Sequence, residues 1–378
     1  MSQSSHNTTD FHLEVLESTD ALRAIAHDWD DLWRRSNVTM PTLRAEPATL
    51  WIDTFTPEAR LHILTVRQGN QLVAALPIVA RRLRHIVPVG DVPLNQWSAN
   101  GDLLIDAETD IGAVTSLLAE AMCHLPWPLL WFQMVPWQST PWTCLAAKLA
   151  ERGAQVDTST GFEVARTSLQ DPFEDYLAAR PKNLRRSLRK DSKRIESEGG
   201  VELRLLDKLS PNEVETPLQQ AFTIEDSGWK GQDGTSVLRS NGIFDFYLRQ
   251  AQYFASQGIL RIAFLECGTK MIAFEVGWVG KGVYHSFKVG YDEDYRKFGP
   301  GHLLRCRLIE EGCSDPNLDF VDFQGPVNQA LRPWSTEKYL IGRLAVCPPR
   351  LTSRAIRTGL YTARRLTTTL RHAATWLS

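Results

Sequence analysis

The sequence lacks the patterns that mark membrane-spanning, exported and metal-binding proteins. No apolar run approaches the roughly 18 residues that a helix needs to cross a bilayer. The opening stretch, MSQSSHNTTD, has no basic segment followed by an apolar one, so no secretory signal is predicted. The six cysteines form no C-x-x-C pair and the nine histidines form no H-E-x-x-H motif. We therefore expect a cytoplasmic protein without a disulfide framework or a bound metal.

The composition is that of a soluble globular protein, with 43% hydrophobic and 23% charged residues. The 378 residues are enough for two domains. The net charge of −2 is unevenly spread, because the segment 350–378 contains six arginines and no acidic residue, which leaves −8 on the rest of the chain. Apolar residues recur every three or four positions in this segment, so a basic amphipathic helix is predicted there.

Two segments of the chain have the same pattern of strands and turns. Residues 61–83 predict a β-hairpin with its turn at Gly69-Asn70, and residues 260–290 predict another with its turn at Gly268-Thr269. Each hairpin is followed by a loop and a helix, then by a buried strand and a short strand pair. The predicted helices are 110–124 and 302–312, the buried strands 129–136 and 320–327, and the strand pairs lie near 154–169 and 337–347.

This repetition indicates a tandem duplication of one α/β unit. Each unit is predicted to be a mixed, mostly antiparallel sheet flanked by helices. The loop between hairpin and helix lies where the sheet could splay apart and admit a ligand.

The loop of the second unit contains the stretch YRKFGPGHLL, residues 295–304. Its spacing, Arg296-x-x-Gly299-x-Gly301, places glycines at the start of a helix, where unpaired N–H groups and the positive end of the helix dipole favour a phosphate. Arg296 would add charge-assisted hydrogen bonds. A simple turn ahead of an ordinary helix is the alternative. The matching loop, 90–102, lacks the motif, so only one half is predicted to bind a cofactor.

The order of several short motifs resembles the GNAT acyltransferase fold over residues 10–345. The motifs are Gly228-Trp229-Lys230-Gly231, Gly290-Tyr291-Asp292 ahead of Gly299-Pro300-Gly301, and Asp322-Phe323 ahead of Trp334. More narrowly, they are similar to CelD-type GNAT proteins, which occur beside polysaccharide biosynthesis genes and are related to the Fem peptidoglycan aminoacyltransferases. In those relatives a lysine usually stands shortly before the tryptophan, whereas Leu331 and Arg332 stand here.

The resemblance implies three segments and one type of chemistry. The segments are a first GNAT-like domain with a degenerate cofactor loop (10–170), a second one with an acyl-CoA pyrophosphate loop (171–349), and the basic C-terminal helix (350–378). The implied reaction is transfer from acetyl-CoA or a longer acyl-CoA to an amine, less commonly a hydroxyl, of a sugar, amino-sugar or lipid-linked glycan precursor. Fem-like transfer from aminoacyl-tRNA and a catalytically silent scaffold of a polysaccharide-biosynthesis complex are the alternatives.

The resemblance also assigns roles to individual residues. The residues expected to bind the cofactor are Phe287, Lys288, Val289, Arg296, Lys297, Phe298, Gly299, Pro300, Gly301 and His302, with backbone N–H groups near Phe287–Val289 available to an oxyanion. The candidate bases are Glu225, Asp226, Asp292 and Asp322, each of which has a structural alternative as a cap, a turn residue or a solvated carboxylate. The residues expected to contact substrate are Trp229, Lys230, His285 and Trp334, although His285 shares a strand face with apolar residues and is also typical of a core histidine.

Two basic segments suggest partners. The stretch 180–194 holds eight cations and one acid, with Leu184, Leu188 and Ile195 at helical spacing, which predicts a charged helix face. Attraction of the phosphates of coenzyme A, a nucleotide sugar or tRNA is the alternative. No aromatic residues are interleaved, so no nucleic-acid partner is expected. The helix at 350–378 would bind an anionic membrane surface, on the inner face of the cell membrane, or pack on the protein's own acidic body.

Overall fold

The computed structural model describes residues 11–83, 85–353, 355 and 358. The chain divides into two compact units. Unit 1 contains the described residues up to Val38, Thr42–Gly161 and those from Leu340 onward, and unit 2 contains Thr39–Pro41 and Phe162–Tyr339. The basic helix predicted for 350–378 lies almost wholly outside the described residues.

The described residues of the first half of the chain fold into seven strands and five α-helices. Polar turn residues and caps separate them; Asp110, for example, accepts hydrogen bonds from Gly112 N (2.9 Å) and Ala113 N (3.0 Å) and so starts the fourth helix. The turn at Gly69-Asn70 falls where the sequence predicts it. In chain order the elements are β1 (Phe11–Leu16), α1 (Thr19–Ala24), α2 (Ala26–Arg35), α3 (Ala45–Phe55), β2 (Leu61–Gln68), β3 (Gln71–Leu83), β4 (Val87–Asp91), β5 (Leu104–Ile105), α4 (Ile111–His124), β6 (Leu130–Val135), α5 (Thr140–Glu151) and β7 (Gln155–Ser168).

The described residues of the second half begin with two added helices and then follow a similar order, without counterparts of β5 and α5. Its hairpin turns at Gly268-Thr269, again as predicted. Short 3₁₀ helices occur at Pro211–Glu213, Glu293–Phe298 and Arg332–Trp334. The remaining elements are α6 (Phe173–Ala178), α7 (Lys182–Glu196), β8 (Glu202–Leu206), α8 (Glu215–Ser227), α9 (Trp229–Gln232), α10 (Ile243–Ser256), β9 (Leu260–Cys267), β10 (Lys270–Gly280), β11 (Val283–Tyr291), α11 (Pro300–Ser314), β12 (Phe320–Pro326) and β13 (Glu337–Cys347).

The two units have the same strand topology. In unit 1 the order across the sheet is β1-β2-β3-β4-β6-β13, with β5 beside β3, and in unit 2 it is β8-β9-β10-β11-β12-β7. These neighbouring strands pair antiparallel, except for β4 with β6 and β11 with β12, which are parallel. The one parallel pair stands at the same place in both orders, as expected of a duplicated unit. The structure therefore confirms two tandem units of mixed, mostly antiparallel strands flanked by helices.

The closing strands differ from the prediction. Near 154–169 and 337–347 the sequence predicts short strand pairs, but each segment forms one continuous strand, β7 and β13. β7 begins in unit 1 and ends in unit 2, and β13 does the reverse. A long strand can satisfy its backbone groups along its whole length, whereas a two-strand turn would need a tighter break than the sequence provides.

Unit 2 packs helices against both faces of its sheet. Successive side chains of a strand point to opposite faces, so Phe274 meets Phe222 of α8, with ring centroids 6.2 Å apart, while Ala273 joins the buried cluster that contains Leu303 and Leu304 of α11. The predicted basic helix at 180–194 is α7, and its apolar positions are buried in the same cluster. Among the described residues, no helix is long and apolar enough to cross a membrane.

Candidate active site

The sheet of unit 2 opens between β11 and β12. The two strands pair only over Val283–His285 and Phe320–Asp322, although β11 continues alongside β10 as far as Tyr291. A cavity of about 490 Å³ lies at this opening, within the size range of small-molecule sites. The splay that the sequence predicts ahead of the second helix is therefore present.

A β-bulge shapes the open edge of β11. Ser286 pairs with Gly277 and Lys288 pairs with Val276, so Phe287 is the extra residue between them. A bulge breaks the alternation of side chains and leaves backbone groups out of the ladder. Ser286, Phe287 and Val289 all line the cavity, which a regular strand would not allow for successive residues.

The loop at the other end of the cavity is built by two local signals. Asp292 accepts a hydrogen bond from Asp294 N (3.0 Å) and begins the 3₁₀ turn that ends at Phe298. Gly299 then adopts φ +61°, a left-handed conformation that favours glycine, and its carbonyl accepts hydrogen bonds from His302 N (2.9 Å) and Leu303 N (3.1 Å). The glycines open a helix, as predicted, but α11 begins at Pro300 rather than at 302, because proline is well suited to the first helical position.

Arg296 and Gly299 face different surroundings within this loop. The Arg296 side chain is 76% exposed and lies 3.7 Å from the Glu293 carboxylate. A Cβ on Gly299 would come within 3.0 Å of Asp191 Oδ2 on α7, so both the backbone conformation and the space favour glycine. Arg194 of α7 also donates to the carbonyl of Lys297 (2.7 Å). The basic helix therefore supports the loop directly.

A charged pair also lines the cavity. The Glu225 carboxylate, at the end of α8, lies 2.6 Å from Lys230 Nζ and accepts a hydrogen bond from Val237 N (3.1 Å). Only 5% of the Glu225 side chain is exposed, against 33% for Lys230. A carboxylate has about four acceptor positions, so this one retains capacity for a ligand proton.

A second buried carboxylate, Glu275 on β10, also lines the cavity. Burial raises its pKa, while the Arg305 charge and a hydrogen bond with Ser286 act in the opposite direction. Sequence reasoning missed Glu275, although a signal was present: it is the one acidic residue in the apolar strand KMIAFEVGWVG, and a charge buried in such a strand needs a partner or a function.

His302 lies in the first turn of α11, lines the cavity and is hydrogen-bonded to Trp334. The indole Nε1–H of Trp334 donates to His302 Nδ1 (3.1 Å). Trp334 itself is fully buried. His285 is 1% exposed on the paired part of β11, and burial lowers its pKa to about 3, so its imidazole is neutral.

With this geometry established, comparison with known proteins identifies the second half of the chain. The family model described as the acetyltransferase (GNAT) domain matches residues 182–330. Residues 182–330 form a GNAT domain. This segment contains α7, the splayed strands, the Gly299 loop and all the residues that line the cavity except Leu331. No curated protein matches the chain.

Three solved structures share the fold over most of the chain. FemX matches with a TM-score of 0.56 and 10% identity, covering 88% of this chain and 96% of its own. A conserved protein of unknown function from Bacteroides thetaiotaomicron matches with 0.53 and 13%, covering 88% and 100%. The C-terminal domain of an Agrobacterium fabrum protein assigned as a lysylphosphatidylglycerol synthetase matches with 0.52 and 13%, covering 89% and 95%. At these identities the likeness concerns the fold alone.

The GNAT domain brings most, but not all, of the predicted cofactor-binding residues to one cavity. Lys288 packs over the rings of Tyr247 and Phe287, at 5.3 Å from each centroid, and Lys297 lies over Phe298, which is buried. Lys288, Lys297 and Phe298 do not belong to the cavity lining, whereas the following do: Phe287, Val289, Arg296, Gly299, Pro300, Gly301 and His302.

Of the four predicted bases, only Glu225 lines the cavity of the GNAT domain. Asp226 is bound by Arg239 and by Ser236, and these hydrogen bonds lower its pKa. Asp292 caps the 3₁₀ turn described above.

Asp322, the fourth candidate, accepts hydrogen bonds from Gln324 N (2.8 Å) and the Tyr339 hydroxyl (2.9 Å). Burial raises its pKa. Of the predicted substrate-binding residues, Lys230 lines the cavity, whereas His285 and Trp334 lie outside its lining. Trp229 is the first residue of α9.

Unit 1 closes the equivalent opening with a carboxylate. There, β4 and β6 pair only at Gly90 and Leu130, and the next residue, Asp91, is fully buried. Its carboxylate accepts hydrogen bonds from Gln133 N and Gln133 Nε2, both at 3.1 Å, and pairs with Arg81 at 2.7 Å. The side chain of Asp91 therefore bridges the two strands at the point where those of the GNAT domain separate.

Proposed function

We propose that the protein is an acyl-CoA-dependent N-acyltransferase. The observation that carries this proposal is the cavity at the splay of β11 and β12, whose lining includes both the Gly299–Gly301 helix start and the Glu225–Lys230 pair. The helix start supplies its positive dipole end and the Gly301 N–H for the pyrophosphate of the donor, because the N–H groups of Gly299, His302 and Leu303 are already bonded and proline has none. The charged pair supplies polar contacts for the acceptor.

In the proposed reaction the acceptor amine attacks the thioester carbonyl directly, and coenzyme A leaves as its thiol. The cavity holds the two reactants together, which lowers the entropic barrier. In this proposal, backbone N–H groups at the Phe287 bulge donate to the developing oxyanion. No covalent intermediate with the protein is required.

Glu225 is the proposed acceptor of the amine proton. It is the one predicted base that lines the cavity, and its hydrogen bonds from Lys230 and Val237 N fix the orientation of the carboxylate. Glu275 is the second candidate, since burial raises its pKa and so strengthens it as a base once it is ionised.

The proposed acceptors are sugars, amino-sugars or lipid-linked precursors of envelope or extracellular polysaccharide, with an amine favoured over a hydroxyl. This choice is supported by the resemblance of the motif order to CelD-type proteins. The Glu225–Lys230 pair, one acceptor and one donor group side by side, suits the alternating hydroxyl and amino groups of a sugar.

The decisive experiment is binding of the donor. Purified full-length protein should give calorimetric heat and thermal stabilisation with acetyl-CoA or a longer acyl-CoA, and mass spectrometry of co-purified ligands should reveal a coenzyme A thioester. Absence of both signals would remove the proposal.

Transfer from aminoacyl-tRNA is the second candidate, favoured by the cations of α7. Among the described residues, Arg186, Arg189, Lys190 and Lys193 have no ion pair and are exposed beside the loop, a distribution that attracts polyanions. Activity that survives RNase with a coenzyme A thioester as donor would exclude this route.

Membrane association through 350–378 stays a prediction of the sequence. Deletion of this segment should abolish sedimentation with anionic liposomes, and the same degree of sedimentation without it would refute the prediction.

A further inference from the structure

Trp334, which donates a hydrogen bond to His302, is itself held in place by several contacts. Trp334 is 0% exposed, and its carbonyl accepts hydrogen bonds from the Tyr176 hydroxyl (2.7 Å) and from Thr167 Oγ1 (2.5 Å). Its backbone N–H is bonded to the Leu331 carbonyl (3.0 Å). The indole is therefore held rigidly, with Nε1 3.1 Å from His302 Nδ1.

The chemistry of the two rings determines where the histidine proton resides. An indole N–H can only donate, so His302 Nδ1 must be the acceptor. A neutral imidazole with an unprotonated Nδ1 carries its proton on Nε2. Protonation of Nδ1 would bring two N–H groups face to face and leave the buried indole N–H without its acceptor, which is costly.

On balance, the surroundings of His302 also lower its pKa and so favour the neutral imidazole. Burial lowers the pKa of His302, and the nearby Arg305 on the same helix lowers it further, while Asp191 on α7 opposes them. The imidazole is therefore neutral at neutral pH. Because Nδ1 is occupied by Trp334, Nε2–H is the polar group that His302 has left for the cavity it lines.

We propose that Trp334 is a positioning residue that locks His302 in the Nε2–H tautomer, so that His302 presents a neutral hydrogen-bond donor to a phosphate oxygen of the bound coenzyme A. The role of His302 toward phosphate depends on the proposed acyl-CoA function, whereas the tautomer does not. A neutral donor at the start of α11 would act together with the helix dipole at neutral pH, since the pKa of His302 is lowered by its surroundings.

The tautomer can be tested without a ligand. In the full-length protein labelled with ¹⁵N-histidine, the His302 signals, assigned by their loss in His302→Gln, should show a protonated Nε2 and an unprotonated Nδ1 that persist below the ordinary histidine pKa of about 6.5. A protonated Nδ1, or titration near that ordinary value, would overturn the proposal. Trp334→Phe keeps a buried ring but removes the N–H, and His302 should then titrate at a higher pH and populate both tautomers; unchanged signals would also overturn it.

The phosphate contact is tested with a pair of histidine variants and coenzyme A as the probe. In His302→Gln the amide nitrogen can take the place of Nε2, whereas in His302→Asn the amide reaches only the place of Nδ1. A hydrogen bond to a charged group predicts a loss of at least about tenfold in affinity for His302→Asn and much less for His302→Gln. Equal affinities of the two variants and the wild type would refute the contact.

The outcomes separate this inference from the proposed function. If the wild type binds no coenzyme A, the acyl-CoA function and the phosphate contact both fail, while the NMR result still decides the tautomer. If it binds coenzyme A but His302→Asn binds equally well, the function stands and the phosphate contact fails. If Trp334→Phe does not fold, the wild-type tautomer and the two histidine variants still decide the question.

Discussion

Replacement of Arg296 by alanine should weaken coenzyme A binding about tenfold. Among the residues that the structure describes, Arg296 has one ion pair, with Glu293 at 3.7 Å, and both side chains are exposed, so the pair is worth less than about 1 kcal/mol. Little free energy is therefore lost when Arg296 leaves Glu293 to bind a phosphate. A hydrogen bond to a charged group contributes about 1.5–3 kcal/mol, and the exposure of Arg296 places it at the lower end. About 1.4 kcal/mol corresponds to a tenfold change in affinity.

Titration calorimetry with coenzyme A at one fixed, low ionic strength would measure this loss. The matched control is Arg307→Ala, since Arg307 lies on α11, pairs with Glu310 at 2.9 Å and stays outside the cavity lining. Glu293→Gln should tighten binding slightly, because it removes both a competing partner and a negative charge from the cavity. The reasoning fails if Arg296→Ala binds like the wild type, or if Arg307→Ala loses as much affinity.

Three further changes test the site and its scaffold. Glu225→Gln should lower kcat by about 10²- to 10⁴-fold, measured by thiol release, if Glu225 is the base; Asp226→Asn is the control and should leave kcat unchanged. Burial raises the pKa of Asp91 from 3.8 to about 6, so the stability that its protonated form provides is complete below about pH 3.8 and lost as the pH rises through about 6. In the wild type, this should lower the free energy of unfolding by up to about 3 kcal/mol between about pH 4 and pH 7.5, as measured by denaturant unfolding. Asp91→Asn cannot ionise at this position and should not show this decrease. Gly290→Ala should lower the Tm through a cost of about 1–3 kcal/mol, because its Cβ would lie 2.4 Å from a carbon of Phe274.

Local signals allowed the sequence to predict the hairpins and the loop. The turn glycines Gly69 and Gly268, with φ of +59° and +58°, and Gly299, with +61°, are required by the backbone at those points, so residue type and conformation correspond directly. The same holds for α7, where Leu184 and Leu188 mark the buried face. In each case the determining contacts lie within a few residues of one another.

The parts of the site that escaped prediction depend on distant contacts. His302 and Trp334 are 32 positions apart, and nothing local shows that one indole would meet one imidazole. The bulge at Phe287 arises from the register between β10 and β11. The pairing of Glu225 with Lys230 spans only five residues, yet it requires the break between α8 and α9. These features depend on tertiary packing, and the spacing of residues in the sequence does not predict them.

Comparison of the two units indicates why the open edge of β11 is suited to a ligand. A buried backbone group without a hydrogen-bond partner costs about 1–3 kcal/mol, so strands do not separate within a sheet without compensation. In unit 1 the carboxylate of Asp91 provides it by accepting from Gln133 N across the gap. In unit 2 the residue after the last paired position is Ser286, whose side chain is too short to bridge as Asp91 does, and the gap becomes the cavity. The same fold thus closes one copy of the opening with its own side chain and leaves the other to be satisfied by a ligand, beside a helix start that favours phosphate.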